Sequence, residues 1–293
     1  MEVNIEPGKY VVAVSGGIDS LVLLDLLKRN PSLELVVAHY DHGIRTNSAD
    51  DRLLVEQIAK ENNLEFYYEE GNLGSSSSEA TARTKRYEFL NSIKEKTKSR
   101  AIVTAHHQDD LLETAILNLL RGTNRRGLSS MYSNDIIRPL LPYPKRELLS
   151  YAQSHNLVWN EDTTNQDTKY LRNYIRIEIM PKLNPKQRNA LLGIINDSKE
   201  LNKQTNDLLH ILITNNSADG ELSRLWFIGL PHNVAREVMS TWLKKQDITF
   251  DKTMIENLVI AAKTLNPGKS RDVDKTHILR VQGDRLALVS VER

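Results

Sequence analysis

The chain opens on an alternation of short apolar runs with longer stretches whose apolar positions recur every three to four residues. Tyr10–Val14, Leu35–Tyr40, Leu64–Glu69 and Ala101–Ala105 read as strands, bounded by polar turns. Between them the 3.6-residue period predicts a helix with Asp19 and Ser20 in its first turn, and further helices over Ser48–Glu61, Ser78–Thr97 and Asp109–Leu120. Ser48 and Ser78 are placed as their N-caps. Regular strand–helix alternation argues for an α/β fold, a doubly wound parallel sheet. In such sheets ligands bind beyond the carboxyl ends of the strands.

The pattern changes after Arg121. Arg121–Asn134 is a polar loop rich in arginine, and Asp135–Pro144, with three prolines, reads as an extended connector. Helices are expected at Lys145–His155, Tyr170–Leu183 and Pro185–Ile211, followed by a polar linker at Thr214–Gly220. Val234–Lys244 and Thr253–Thr264 look like amphipathic helices, and His277–Val291 like a hairpin turning at Gly283-Asp284. The expected domains are therefore 1–184, carrying the chemistry, a helical linker at 185–214, and a smaller α+β domain at 215–293.

Between the first strand and the first helix lies Ser15-Gly16-Gly17-Ile18-Asp19-Ser20. Two adjacent glycines let the backbone approach a ligand and aim its N–H groups at it. The helix behind them adds its positive dipole end. This is a candidate phosphate cradle, although an ordinary strand-to-helix turn also favours Gly-Gly. The Walker spacing GxxxxGKS/T is absent here. The string resembles instead the PP-loop of the ATP pyrophosphatases, which split ATP between its α and β phosphates.

Four more strings carry candidate chemistry, and the two that follow the second and fourth strands fall on the same rim. After the fourth strand, Asp109, Asp110 and Glu113 fall within one helical turn, with His106 and His107 just before it. Clustered carboxylates can hold Mg²⁺ or receive an ammonium group. Two histidines with three acids also allow a transition-metal site, and a helix start whose acids complement the dipole is the plainest alternative. Arg83 and Arg86 share a helix face and suit phosphate oxygens, while Glu79, four residues before Arg83, offers it an ordinary intrahelical pair. Asp41, His42 and Arg45 follow the second strand. Asp162, Thr163 and Asn165 form a turn before a helix opened by Arg172, Asn173 and Arg176.

Charge and composition narrow the partners. The net charge of +1 is uneven: residues 1–120 carry −6, residues 121–188 carry +6 and residues 189–293 carry +1. A basic middle beside an acidic first part suggests a polyanion larger than a nucleotide, against the alternative of a merely solvated surface. There is no cysteine, which excludes disulfides, cysteine-ligated zinc, iron–sulfur clusters and thiol catalysis. No apolar run of about 18 residues occurs and no charged-then-apolar leader pattern is visible, so a cytoplasmic protein is expected.

Taken in order, SGGIDS, HYDHGIR with SADD, EATARTKRY, TAHHQDDLLET, LRGTNRRGL, RPLL and DTTNQD with YLRNYIR resemble the tRNA(Ile)-lysidine synthetase family over about Tyr10 to Leu183. LPHNVAREVMSTWL resembles that family's small C-terminal domain more loosely, and Asn124 stands where the family usually has glycine. The chain is short for the family and resembles the forms without a second C-terminal domain.

The resemblance implies an adenine nucleotide α-hydrolase-like domain that uses ATP and L-lysine to turn the wobble cytidine of a CAU-anticodon tRNA(Ile) into lysidine. It implies ATP binding by Ser15, Gly16, Gly17, Ile18, Asp19 and Ser20, and Mg²⁺ on Asp19 and Asp110. It further implies chemistry at Asp19, Arg83, His106, Asp109, Asp110 and Glu113, and tRNA contact by Arg121, Arg125, Arg126, Arg172 and Arg176. A homodimer is among the expectations, and the sequence leaves the oligomeric state open. Three rivals share the loop. They are a tRNA thiolase, which would ordinarily use cysteines, an amidating ligase, which would lack the AHHxDDxxET string, and a non-catalytic ATP- or RNA-binding module.

Overall fold

A computed structural model describes residues 1–41, 43, 48–71, 79–123, 125–132, 136–160 and 170–291. His42, Arg45, the Ser78 cap, Asn124 and the turn of Asp162, Thr163 and Asn165 lie outside the described residues, as do the side chains of Ser48 and Glu79. The chain forms two compact units, Met1–Lys199 and Glu200–Arg293.

The first unit is built on a five-stranded parallel sheet. Its strands are β1 (Gly8–Ala13), β2 (Leu33–Asp41), β3 (Glu65–Glu70), β4 (Ala101–Val103) and β5 (Ile136–Ile137), in the order β3-β2-β1-β4-β5. The helices between them are α1 (Ile18–Lys28), α2 (Ser48–Glu61), α3 (Glu79–Lys96), α4 (Gln108–Leu120) and α5 (Arg125–Leu128). Alternation along β1 explains the layering. Tyr10, Val12 and Val14 pack with α1, α2 and α6 (Lys145–Ser154), while Val11 packs with Phe89, Leu90 and Ile93 of α3. Helices thus cover both faces, which is why β1 and β2 read as continuous apolar runs.

Several details depart from the pattern reading. The proline-rich connector hides β5, whose Ile136 and Ile137 pair with Ile102 and Val103. The helix expected over Tyr170–Leu183 is broken into α7 (Leu171–Tyr174), a π-turn (Ile175–Ile179) and a 3₁₀ turn (Met180–Lys182). Pro181, which has no N–H to donate, sits in the last of these. π-turns inside helices are frequent at functional sites, and Arg176 lies in this one.

The long helix α8 (Pro185–Asn215) runs past the expected end at Ile211 and crosses from the first unit into the second. In place of the expected polar linker, β6 (Ser217–Ala218) and β7 (Glu221–Ser223) form a hairpin. It turns at Asp219 and Gly220, both at positive φ, as an Asp-Gly hairpin turn requires. The second unit continues with α9 (Arg224–Gly229), α10 (His232–Lys244), α11 (Lys252–Thr264), β8 (Ser270–Asp272), β9 (His277–Gln282) and β10 (Arg285–Ser290). Its antiparallel sheet, β6-β7-β10-β9-β8, shares a core with Trp242, Phe227 and Leu258 of the helices. Among the described residues no helix is long and apolar enough to cross a membrane.

Candidate active site

The loop after β1 is shaped from within. The Val14 N–H bonds the Ala38 carbonyl at 3.0 Å, and the chain then turns through Gly16 at φ +88°. A Cβ on Gly16 would lie 3.1 Å from Asp51 Cβ, so glycine serves both the left-handed conformation and the close approach of α2. Ser20 latches the turn: its hydroxyl donates to the Gly17 carbonyl at 2.8 Å and accepts the Ser15 N–H at 3.1 Å. Helix geometry leaves the N–H groups of Ile18 and Asp19 without an intrahelical acceptor, facing outward at the positive end of α1.

Beside this loop opens a cavity of about 210 Å³. Val14, Ala38, Tyr40 and Leu90 give it an apolar wall; Ser15, Asp19, Ser20, Arg86, His106 and Asp110 give it a polar one. Ser15, Asp19, Ser20, His106 and Asp110, all singled out in the sequence, therefore meet at one place. Arg83, Asp109 and Glu113 do not line it. Arg83 is exposed and lies over the Tyr87 ring at 4.8 Å, and it is its neighbour Arg86 that reaches the wall.

Each acid of α4 has a defined partner. Asp109 Oδ2 accepts the Lys145 N–H at 2.7 Å, and Oδ1 accepts Arg188 Nη1 at 2.5 Å. Those donors hold its carboxyl below the usual range although burial alone would raise it. Asp109 thus caps α6 and anchors the start of α8, a structural post rather than a cavity group. Glu113, 2 % exposed, accepts Arg176 Nε and Nη2 at 2.8 and 2.7 Å. Asp110 takes the same Nη2 at 3.2 Å on Oδ1 and the His107 N–H at 3.0 Å on Oδ2. Arg176, expected to grip tRNA, is turned inward to these acids, while Arg172 donates to Thr114 Oγ1 at 3.0 Å.

The two histidines differ. His107 is the N-cap of α4: its Nδ1 accepts the Asp110 N–H at 3.3 Å, which leaves the proton on Nε2, 3.7 Å from Asp19 Oδ2. His106 faces the cavity with Nδ1 2.8 Å from Thr104 Oγ1. Burial pushes it down to about 3, against the pull of Asp110, with Arg138, Arg86 and Arg83 pushing the same way. It is neutral at pH 7.

Arg121 ends α4 and is exposed; Arg125 and Arg126 sit in α5, half-buried. The intervening loop is pinned to α4 through Asn118, whose Nδ2 donates to the Gly127 carbonyl at 2.7 Å and whose carbonyl accepts Thr123 Oγ1 at 2.8 Å. Sequence reasoning missed Lys145, whose Nζ is 2.5 Å from Asp19 Oδ1. The one signal available was a Pro144-Lys145 helix start at the end of the connector.

Among the described residues no three or more His, Asp or Glu side chains are grouped to hold a metal. Mg²⁺ needs no such cage beside phosphates, since one or two carboxylates suffice. Asp19 and Asp110, hard oxygen donors on the same wall, fit that demand.

A family model described as the PP-loop domain matches residues 2–183. The chain is 39 % identical over 201 residues to a tRNA(Ile)-lysidine synthase of Enterococcus faecalis, covering 65 % of this chain and 44 % of that protein. It is 36 % identical over 220 residues to one of Thermosipho africanus, covering 70 % and 52 %. The chain thus spans about half the length of the curated relatives it matches. Among solved structures, a U34-tRNA thiolase of Methanococcus maripaludis superposes with a TM-score of 0.55 at 18 % identity, over 67 % of this chain and 73 % of that one, a likeness of fold. The chain belongs to the PP-loop family, and its sequence similarity within that family is to the tRNA(Ile)-lysidine synthases.

Proposed function

We propose that this protein binds ATP and joins lysine to C2 of the wobble cytidine of a CAU-anticodon tRNA(Ile), forming lysidine with release of AMP and pyrophosphate. The observation that supports it most is the convergence of Ser15, Asp19 and Ser20 of the SGGIDS loop with His106 and Asp110 on one cavity. The catalytic part is assigned to 1–184, with a linker at 185–214 and a tRNA-contacting domain at 215–293.

The apolar wall takes the adenine. The outward N–H groups of the loop and the α1 dipole hold the β- and γ-phosphates. Arg86 neutralises charge at the α-phosphate; Arg83, which the family resemblance implies in the chemistry, does not line the cavity. The cytosine O2 attacks the α-phosphorus, the bond to the bridging oxygen breaks, and pyrophosphate leaves. The lysine ε-amine, once deprotonated, attacks C2; the C2–O bond breaks and AMP departs. With its pKa held low, His106 is a poor base, and it suits a hydrogen bond to the nucleotide. Asp110, on the cavity wall, would receive the lysine ammonium or share the metal with Asp19. Mg²⁺ held by Asp19 and Asp110 would supply positive charge against the phosphates.

Arg121, Arg125, Arg126 and Arg172, in the +6 segment, are assigned to tRNA phosphates. A cytosine is most easily reached in a single-stranded anticodon loop, where little unstacking is needed. The test is the fate of labelled ATP in the presence of tRNA. Label at the α-phosphate should pass through tRNA to AMP, and label at the γ-phosphate should leave in pyrophosphate. Stoichiometric ADP and phosphate would exclude this chemistry.

A further inference from the structure

α1 and α6 lie side by side, tied at two levels. Lys145 meets Asp19 at their first turns, and Tyr151 Oη donates to Asp25 Oδ2 at 2.8 Å six residues further along each helix. Equal spacing on both helices means that they run parallel with their N-termini at one end, the rim where the cavity opens. Asp109 fixes this arrangement, because it supplies the cap that Pro144 cannot provide for α6. Lys145 is thus delivered by its backbone to the phosphate loop, while its side chain stays 43 % exposed.

The pair has a chemical problem to solve. Asp19 sits among N–H groups that suit anions, yet it is itself an anion on the cavity wall. A pair as exposed as Asp19 and Lys145 contributes little to stability. A lysine, unlike an arginine fork, is a point charge on a flexible stem that can change partners at small cost.

We propose that Lys145 is a nucleotide-contacting residue. Its ammonium neutralises Asp19 before ATP arrives and then moves to the β- and γ-phosphates, releasing the Asp19 carboxylate for the divalent cation. The inference rests on the ATP reading above and adds to it a residue that the sequence did not single out.

The experiment is calorimetric titration of α,β-methylene-ATP with Mg²⁺, and of AMP, into the full chain and its K145M, K145R and Y151F variants. Removing one charge-assisted hydrogen bond corresponds to about tenfold or more in affinity. K145M should therefore weaken the ATP analogue by about tenfold or more and leave AMP unchanged. K145R should keep most of the affinity. Y151F, which removes the other tie between the helices, should lower the melting temperature without changing analogue binding. With no nucleotide present, K145M should bind Mn²⁺ more tightly than the parent, because Asp19 is no longer occupied. Undiminished analogue binding by K145M, or an equal loss for AMP, overturns the proposal. Failure of the unmodified chain to bind the analogue at all would instead remove the ATP reading itself.

Discussion

Arg176 grips Glu113 through two parallel hydrogen bonds, Nε to Oε1 at 2.8 Å and Nη2 to Oε2 at 2.7 Å, and reaches Asp110 with the second nitrogen. The pair joins the π-turn to α4 and sets the direction in which Asp110 faces. A guanidinium that sequence reasoning gives to a substrate thus serves to organise the acids.

Breaking this pair from the cationic side leaves Glu113, 3 % exposed at its side chain, as a buried charge with no partner. Arg176→Met should therefore cost about 1–3 kcal/mol, below the range for fully buried pairs because Arg176 is 38 % exposed. Urea unfolding gives the number. The double variant with Glu113→Gln should recover part of the loss; an unchanged midpoint in Arg176→Met would show that the pair contributes nothing.

Asp109 makes stability depend on acid. Its pKa is lowered in the folded chain below the ordinary 3.8, so its contribution is present above that value and is lost as pH falls through the folded pKa. Asp109→Asn should cost about 1–2 kcal/mol at pH 7, from two charge-assisted hydrogen bonds partly kept by the amide oxygen. The gap between variant and parent should narrow below about pH 4. Thermal unfolding across that range checks it; a gap independent of pH would mean that the carboxylate charge is not used.

His106 should stay neutral through the physiological range. With its pKa pushed down to about 3, its Cε1–H resonance should not titrate between about pH 5 and 8, unlike an exposed histidine near 6.5. The unfolded chain takes up the proton that the folded one refuses, so this residue favours unfolding increasingly as pH falls from about 6.5 toward 3. A titration midpoint near 6.5 for His106 would contradict the assignment of its environment.

Local patterning carried much of this architecture. The SGGIDS loop between an apolar run and a periodic helix located the cavity, and Ser48–Glu61 is a helix over the limits its period predicts. Alternation predicted the parallel sheet, as found. β5 escaped notice because two isoleucines among prolines take their strand character from pairing with β4, not from their own sequence. The partners of Asp109, Glu113 and Arg176 were illegible for a related reason. Adjacent acids look alike in sequence, and their surroundings are set by Lys145, Arg188 and Arg176, which lie 36 to 79 residues away along the chain. Period and spacing carry no information about such partners. His107 was visible as a polar residue before the helix, but its place as the cap needed the geometry of Asp110.

Replacing Arg125 and Arg126 by alanine should weaken tRNA binding and reduce its salt dependence by roughly one unit of slope for each phosphate no longer neutralised. Affinity for the ATP analogue should hold, since neither residue lines the cavity. Filter binding over a series of salt concentrations reads both effects. Parallel losses for tRNA and nucleotide would point to damage to the fold rather than to a weaker hold on the tRNA backbone.

The proposed transfer of lysine to a cytidine at the SGGIDS cavity stands or falls on the modified nucleoside. Its most direct test is incubation of the chain with ATP, isotopically labelled lysine and a panel of tRNA transcripts, followed by mass analysis of the digested nucleosides. Labelled lysidine is expected in the transcript bearing the CAU anticodon, with cytidine retained in the others. ATP turnover with label-free nucleosides throughout the panel, or label incorporated irrespective of anticodon, would contradict it.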